Sequence, residues 1–157
     1  MNAGRPSKAV RPPKSLKARA VGFLARREYS RSELRDKLVA TGAARDEADT
    51  VLDEIVAQGY LSDTRFAKAL VRQKTGAMSR RAISASLKAK GVDADVAAAA
   101  LASSEVDDED AMVALWRRKF GAPPANDREK ARQVRFLQSR GFALSAIFKL
   151  LRGPPSG

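Results

Sequence analysis

The sequence predicts an all-α protein built from three tandem three-helix, helix-turn-helix-like repeats. Gly42, Gly91 and Gly141 stand 49 and 50 residues apart, each with a leucine four positions before it (Leu38, Leu87, Leu137) and another ten positions after (Leu52, Leu101, Leu151). A leucine–glycine–leucine pattern returning three times in 157 residues marks one supersecondary unit written three times. No segment sustains the period-2 alternation of a half-buried strand, whereas helix caps and breakers recur at helical intervals.

In the first unit, Leu16 to Arg27 carries Ala20, Phe23 and Leu24 at helical spacing. Ser30-Arg31-Ser32-Glu33 then reads as a capping box, in which serine and glutamate each satisfy a backbone donor of the other. Leu34 and Leu38 follow on one face, and Gly42 supplies the left-handed residue that ends the helix. A third helix begins near Asp46, carries Ala48, Val51, Leu52 and Ile55, and stops at Gly59. In the second unit Ser62 or Asp63 caps a helix whose apolar side holds Phe66, Ala69 and Leu70. Ser79 caps the next, with Ile83 and Leu87 in the places of Leu34 and Leu38, and Asp93 opens an alanine-rich helix ending near Ala102. The third unit runs from about Asp108 through Trp116 to Phe120 and breaks at a Pro-Pro loop. It resumes from about Asn126 to Arg140, with Glu129 in register with the serine caps, and ends in a helix carrying Ile147, Leu150 and Leu151. The repeats are thus expected at 15–60, 61–105 and 106–153. Residues 1–14, with three of the seven prolines and no apolar periodicity, read as a disordered basic tail, and 154–157 as a frayed end.

Composition narrows the function. Aromatics are only 6% of the chain against 44% hydrophobic residues, so the core must be made of Leu, Val and Ala in thin helical layers. Cysteine and histidine are both absent. That removes disulfides, the usual zinc ligands and the usual general base near neutral pH, and it argues against an enzyme, a metal or a cofactor. No apolar run reaches the roughly 18 residues of a membrane span, and the basic N-terminus lacks the apolar stretch of a secretory signal, so a cytoplasmic protein without membrane contact is expected.

The formal net charge of +12 points to a polyanionic partner. Residues 1–27 and 65–90 each carry eight basic and no acidic side chains, and 117–152 carry ten basic against two acidic. Between them, 91–110 hold seven acidic residues and no basic one. Arg65, Lys68 and Arg72 form a stripe at i, i+3 and i+7, and Arg128, Arg132 and Arg135 another at i, i+4 and i+7. Arg26, Arg27 and Arg31 cluster in the first unit. Lys74, Arg80, Arg81, Lys88 and Lys90 flank the second-unit cap and glycine, and Arg140 precedes Gly141. Cations one helical turn apart can track a phosphate backbone, giving salt-sensitive, sequence-independent binding.

Most aromatic rings fall on predicted apolar faces; Tyr29 and Trp116, each with an arginine close by, are the ambiguous ones for base stacking. The run Asp107-Asp108-Glu109-Asp110 reads as an acidic helix start rather than a magnesium site, because no second carboxylate cluster accompanies it. A stand-alone helix-turn-helix regulator of duplex DNA is the competing class. Yet the helices after the glycines carry Asp46, Glu47, Asp49 and Asp53, or Asp93 and alanines, which are poor readers of base edges.

The same residues resemble the RecX family of bacterial recombinase regulators. The run from Arg26 through Glu33 to Leu38 resembles the first-repeat signature, and Gly59-Tyr60-Leu61-Ser62-Asp63-Thr64-Arg65-Phe66-Ala67 the junction of the first two repeats. Ser79 to Val92 resembles the second-repeat helix and Lys130 to Phe142 the third. The resemblance spans about residues 16–152. It implies an elongated, curved, non-catalytic monomer that binds the RecA–single-stranded DNA filament along its groove. It further implies inhibition of RecA ATPase and strand exchange, by blocking filament extension or promoting disassembly. RecA as partner comes from the resemblance alone.

Overall fold

A computed structural model describes residues 14–153; the sequence-predicted tail up to residue 13 and the last four residues lie outside it. Among the described residues there are nine helices and no strand: α1 (Leu16–Leu24), α2 (Arg31–Ala40), α3 (Arg45–Ala57), α4 (Asp63–Lys74), α5 (Arg80–Ala89), α6 (Ala94–Ala102), α7 (Asp108–Lys119), α8 (Asp127–Ser139) and α9 (Leu144–Arg152). None is long and apolar enough to cross a membrane. The chain forms two compact units, the first ending at Leu61 and the second starting at Ser62.

The recurring leucine–glycine spacing has a specific cause. Gly42, Gly91 and Gly141 take φ of 107°, 79° and 90°, the left-handed region that only glycine enters without strain. Each lies just past the end of its helix and closes it in the same way. Its own N–H bonds the carbonyl three residues back (Val39, Lys88, Gln138), and the next N–H bonds the carbonyl five residues back (Leu38, Leu87, Leu137). This pair of bonds is the Schellman closure, which brings the residue after the glycine onto the leucine four before it. Those contacts, Leu38 with Ala43, Leu87 with Val92 and Leu137 with Phe142, seed three separate cores. Each leucine is fully buried, at about 2 kcal/mol apiece, so closure and core formation reinforce each other. Six residues past each glycine, Ala48, Ala97 and Ile147 bury the third helix of the repeat.

Around that frame the elements follow their local chemistry. Ser30 and Glu33 complete the capping box, with Ser30 Oγ accepting from Glu33 N at 3.1 Å and Ser30 N donating to Glu33 Oε1 at 3.2 Å. Ser62, rather than Asp63, caps α4 by accepting from Arg65 N. α1 ends at Leu24, so Arg26 and Arg27 belong to the following turn and not to the helix; Tyr29 turns inward there and joins the first core. The buried face of α4 is Phe66, Ala67 and Val71, with Ala69 and Leu70 only half covered, a one-residue rotation from the sequence expectation. In the third repeat the cap moves one turn upstream. Asn126 Oδ1 accepts from Glu129 N at 2.9 Å, and Glu129 reaches back to Ala125 N at 2.7 Å, which lengthens α8 to 13 residues. Leu34 and Ile83 have Gln133 as their third counterpart. It is buried, accepts from Trp116 Nε1 at 2.9 Å and donates to Ala122 O at 3.2 Å, tying the Pro-Pro loop to the core.

Within the second unit, repeats 2 and 3 are joined at the N-terminus of α5. Ser79 Oγ accepts from Ala82 N, and Asp108 Oδ1 accepts from Arg80 N at 2.8 Å. Ser79 N donates to Arg140 O at 2.9 Å. Three donors that a helix start would leave orphaned are satisfied, one by its own cap and two by repeat 3. The Asp108 carboxylate also sits where the helix dipole favours negative charge. The Arg80 guanidinium turns the other way, donating to Leu101 O at 2.6 Å in the last turn of α6 and to Ser104 O at 3.2 Å and Val106 O at 3.3 Å beyond it. Arg118 adds a bond to Gly76 O at 2.9 Å.

Two stability predictions follow from the closures and the junction. A Cβ on Gly141 would overlap Ser79 Oγ and stand 2.6 Å from Ala82 Cβ, whereas one on Gly42 meets nothing within 4 Å. Gly42→Ala should therefore cost only the left-handed strain, about 1 kcal/mol, and Gly141→Ala about 3 kcal/mol, as read by urea unfolding. Arg80→Ala should destabilise the second unit by about 2 kcal/mol, because it removes three charge-assisted bonds to carbonyls. The neighbouring exposed Arg81→Ala should stay within about 0.5 kcal/mol of the parent. Helical circular dichroism reads both units, and Trp116, the sole tryptophan and buried in the third core, reports the transition of the second by its emission.

Candidate nucleic-acid interface

The predicted cationic residues do not all remain available. In the first unit Arg27 stacks over Tyr29 at 3.6 Å from the ring centroid, donates to Glu28 O and pairs with Glu33 at 3.4 Å. Arg31 pairs with Asp53 at 2.7 Å and lies 4.0 Å from Asp49, which also holds Arg35 at 2.9 Å. Two of the acidic residues that make α3 a poor reader of base edges, Asp49 and Asp53, are thus partners for α2. Arg26 is exposed in the turn after α1. Of the second-unit cluster, Arg80 is committed to carbonyls at and just past the end of α6. Arg81 and Lys88 are exposed, and Lys74 and Lys90 are half-covered at the ends of α4 and α5.

Two faces keep the geometry expected of them. Arg65, Lys68 and Arg72 are all exposed on α4, opposite its buried Phe66, Ala67 and Val71. Arg128, Arg132 and Arg135 are all exposed on α8, opposite its buried Gln133 and Leu137. Lys68, Arg72, Arg128, Arg132 and Arg135 make no ion pair among the described residues. The α8 arginines line a recess of about 400 Å³ with Asn126 and Glu129. Glu129 is turned to the backbone of Ala125, so the recess is dominated by guanidinium groups. Such faces can neutralise successive phosphates without reading bases.

The aromatic rings distribute differently from the sequence reading. Tyr29 and Trp116, the ambiguous pair, are 5% and 3% exposed and belong to cores. The core expectation fails instead at Tyr60, 51% exposed in the turn after α3, and at Phe148, 39% exposed on the outer side of α9. Phe120 and Phe136 are half-buried at the α7–α8 corner, edge to face at 5.5 Å. Their cationic surround joins residues 119, 120, 132, 136 and 140 and was not legible locally, since it needs α7 and α8 to meet.

The acidic run is a helix start, as its composition suggested. Asp107 caps α7 by accepting from Asp110 N at 2.8 Å, and Asp108 serves the α5 terminus. No group of carboxylates suited to a metal occurs among the described residues.

Comparison with known proteins agrees with this architecture. Family models of the first, second and third three-helix domains of RecX match residues 17–54, 62–101 and 107–151. Regulatory protein RecX of Ralstonia pickettii is 38% identical over 143 residues, covering 91% of this chain and 90% of that protein. The proteins of the same name from Leptothrix cholodnii and Chromobacterium violaceum are each 41% identical, over 90% and 89% of this chain and 90% and 91% of theirs. The crystal structure of RecX from Lactobacillus salivarius superposes with a TM-score of 0.64 at 19% identity, over 87% of this chain and 94% of that one, a likeness of fold. Three domain matches in order and relatives of this identity over nine-tenths of the chain place the protein in the RecX family of regulatory proteins.

Proposed function

We propose that this chain regulates the RecA recombinase by binding the RecA–single-stranded DNA filament and inhibiting its ATPase and strand exchange, with no catalysis of its own. The observation that carries the reading is the pair of open cationic faces, on α4 and on α8, in a member of a regulatory family. Both helices bury one side in a repeat core and leave the opposite side to cations. A molecule segmented into small helical repeats suits a filament, because neighbouring repeats can meet successive protomers. Bound in that way, it would obstruct the protomer movements that ATP turnover requires. Affinity for naked single strands would be modest: neutralising about four phosphates loses about fiftyfold between 50 and 200 mM salt. The absence of histidine and cysteine supports a binding role over a catalytic one. The exposed acidic segment 105–110 would lie away from DNA or meet RecA, and the protein would act in the cytoplasm.

Binding to duplex, to bare single strand and to RecA-coated single strand at one salt concentration tests the proposal, with ATPase read in the coated sample. Tightest binding to the coated strand, with falling ATPase, is the expected result. Reversing Arg65, Lys68 and Arg72 together to glutamate should weaken inhibition at least about tenfold, since three favourable contacts become repulsive. Unchanged inhibition would remove α4 from the interface. Tight, sequence-selective binding to naked duplex would replace the filament reading with the helix-turn-helix one.

A further inference from the structure

The α7–α8 corner carries a feature that phosphate tracking does not require. Phe120 and Phe136 meet edge to face there, and three cations lie on the two rings. Arg140 Cζ is 5.0 Å and Lys119 Nζ 5.2 Å from the Phe136 centroid, and Arg132 Cζ is 5.8 Å from that of Phe120. Along α8, Arg128, Arg132, Phe136 and Arg140 follow at intervals of four residues, forming a ridge with one member about every 6 Å. The arginine recess lies at one end of this ridge and the aromatic pair at the other.

This surface is a property of the third repeat and not of the repeat pattern. In the glycine register, Arg132, Arg135 and Phe136 correspond to Ala82, Ala85 and Ser86 of α5, and to Glu33, Asp36 and Lys37 of α2. A face that only kept the molecule soluble would need charge but no rings beneath the guanidinium groups. A guanidinium held over an aromatic ring is oriented before any ligand arrives. Its outer face is a flat platform for a nucleobase, while its N–H edges stay free for phosphate.

We propose that the α7–α8 corner of the third repeat binds single-stranded nucleic acid by base stacking. An unpaired base stacks on the Arg140 guanidinium, or that of Arg132, backed by Phe136 and Phe120, and the adjoining phosphates enter the Arg128–Arg132–Arg135 recess. A duplex cannot present an unstacked base face, so the site discriminates strandedness without reading sequence. The proposal rests on the reading that the chain engages single-stranded DNA, and it adds where and by which contacts.

The test uses the full chain without RecA, measuring fluorescence anisotropy on a thymidine oligonucleotide and on an abasic strand with the same number of phosphates. The base-bearing strand should bind about tenfold more tightly, the worth of roughly one stacked base. The double variant Arg132→Lys with Arg140→Lys keeps the charge and loses the planar platform. It should bind both strands alike, with the salt dependence and helical circular dichroism of the parent. Equal binding of the two strands by the parent, no binding of either at low salt, or a preference that survives in the lysine pair would overturn the site. Base preference without any effect on RecA ATPase would sink the filament reading and leave this site standing.

Discussion

The left-handed glycine turn after the middle helix of each repeat is the constraint on which the rest of this structure depends. It closes the helix by two backbone bonds, lays the next residue onto the buried leucine behind it, and aims the third helix back over the same core. A side chain on the glycine would strain the turn everywhere, but Gly141 carries a second demand. Its missing Cβ is the space into which Ser79 and Ala82 of α5 fit. The third turn therefore closes its own helix and also receives the preceding repeat. The bonds from Ser79 N to Arg140 O and from Arg80 N to Asp108 complete that junction. Repeats 2 and 3 consequently form one compact unit, while repeat 1 closes on itself through Leu61.

The same partition governs the charges. In the first unit α2 and α3 pair Arg31 and Arg35 with Asp49 and Asp53 across a helix interface. Such half-exposed pairs stabilise by at most about 1 kcal/mol each, yet they bring carboxylates up against cations that would otherwise meet a polyanion. In the second unit the acidic residues are concentrated at the start of α7, where the helix N-terminus and the α5 junction use them. On the cationic faces of α4 and α8, Lys68, Arg72, Arg128, Arg132 and Arg135 make no such ion pair among the described residues. Similar basic counts in the sequence blocks therefore translate into unequal surfaces.

The outer face of α8 has a further reason to be polar. The positions by which α5 receives the next repeat, Ser79 and Ala82, correspond in register to Glu129 and Arg132 on α8. In place of the small side chains that admit repeat 3 on α5, α8 therefore presents a carboxylate and a guanidinium. The half-buried Phe120 and Phe136 beneath its arginines are the part that solubility alone does not explain.

Local chemistry alone determined the three-unit plan, the caps at Ser30 and Ser79, the glycine closures and the cationic stripes on α4 and α8. All of these act within about a dozen residues along the chain, so spacing is enough to reveal them. The family, too, was legible, because its motifs are those same local signals. Tertiary structure decided the rest. Whether Arg27, Arg31 and Arg80 are left for a partner depends on Glu33, Asp53 and the carbonyls at the end of α6, which other elements bring to them. Tyr29 and Trp116 are core because Leu34 and Gln133 and their neighbours enclose them, and Phe120 meets Phe136 because α7 and α8 form a corner. A residue's type and spacing assign it to a helix face; only the packing of that helix on others determines whether the face is spent inside the protein or left for a partner.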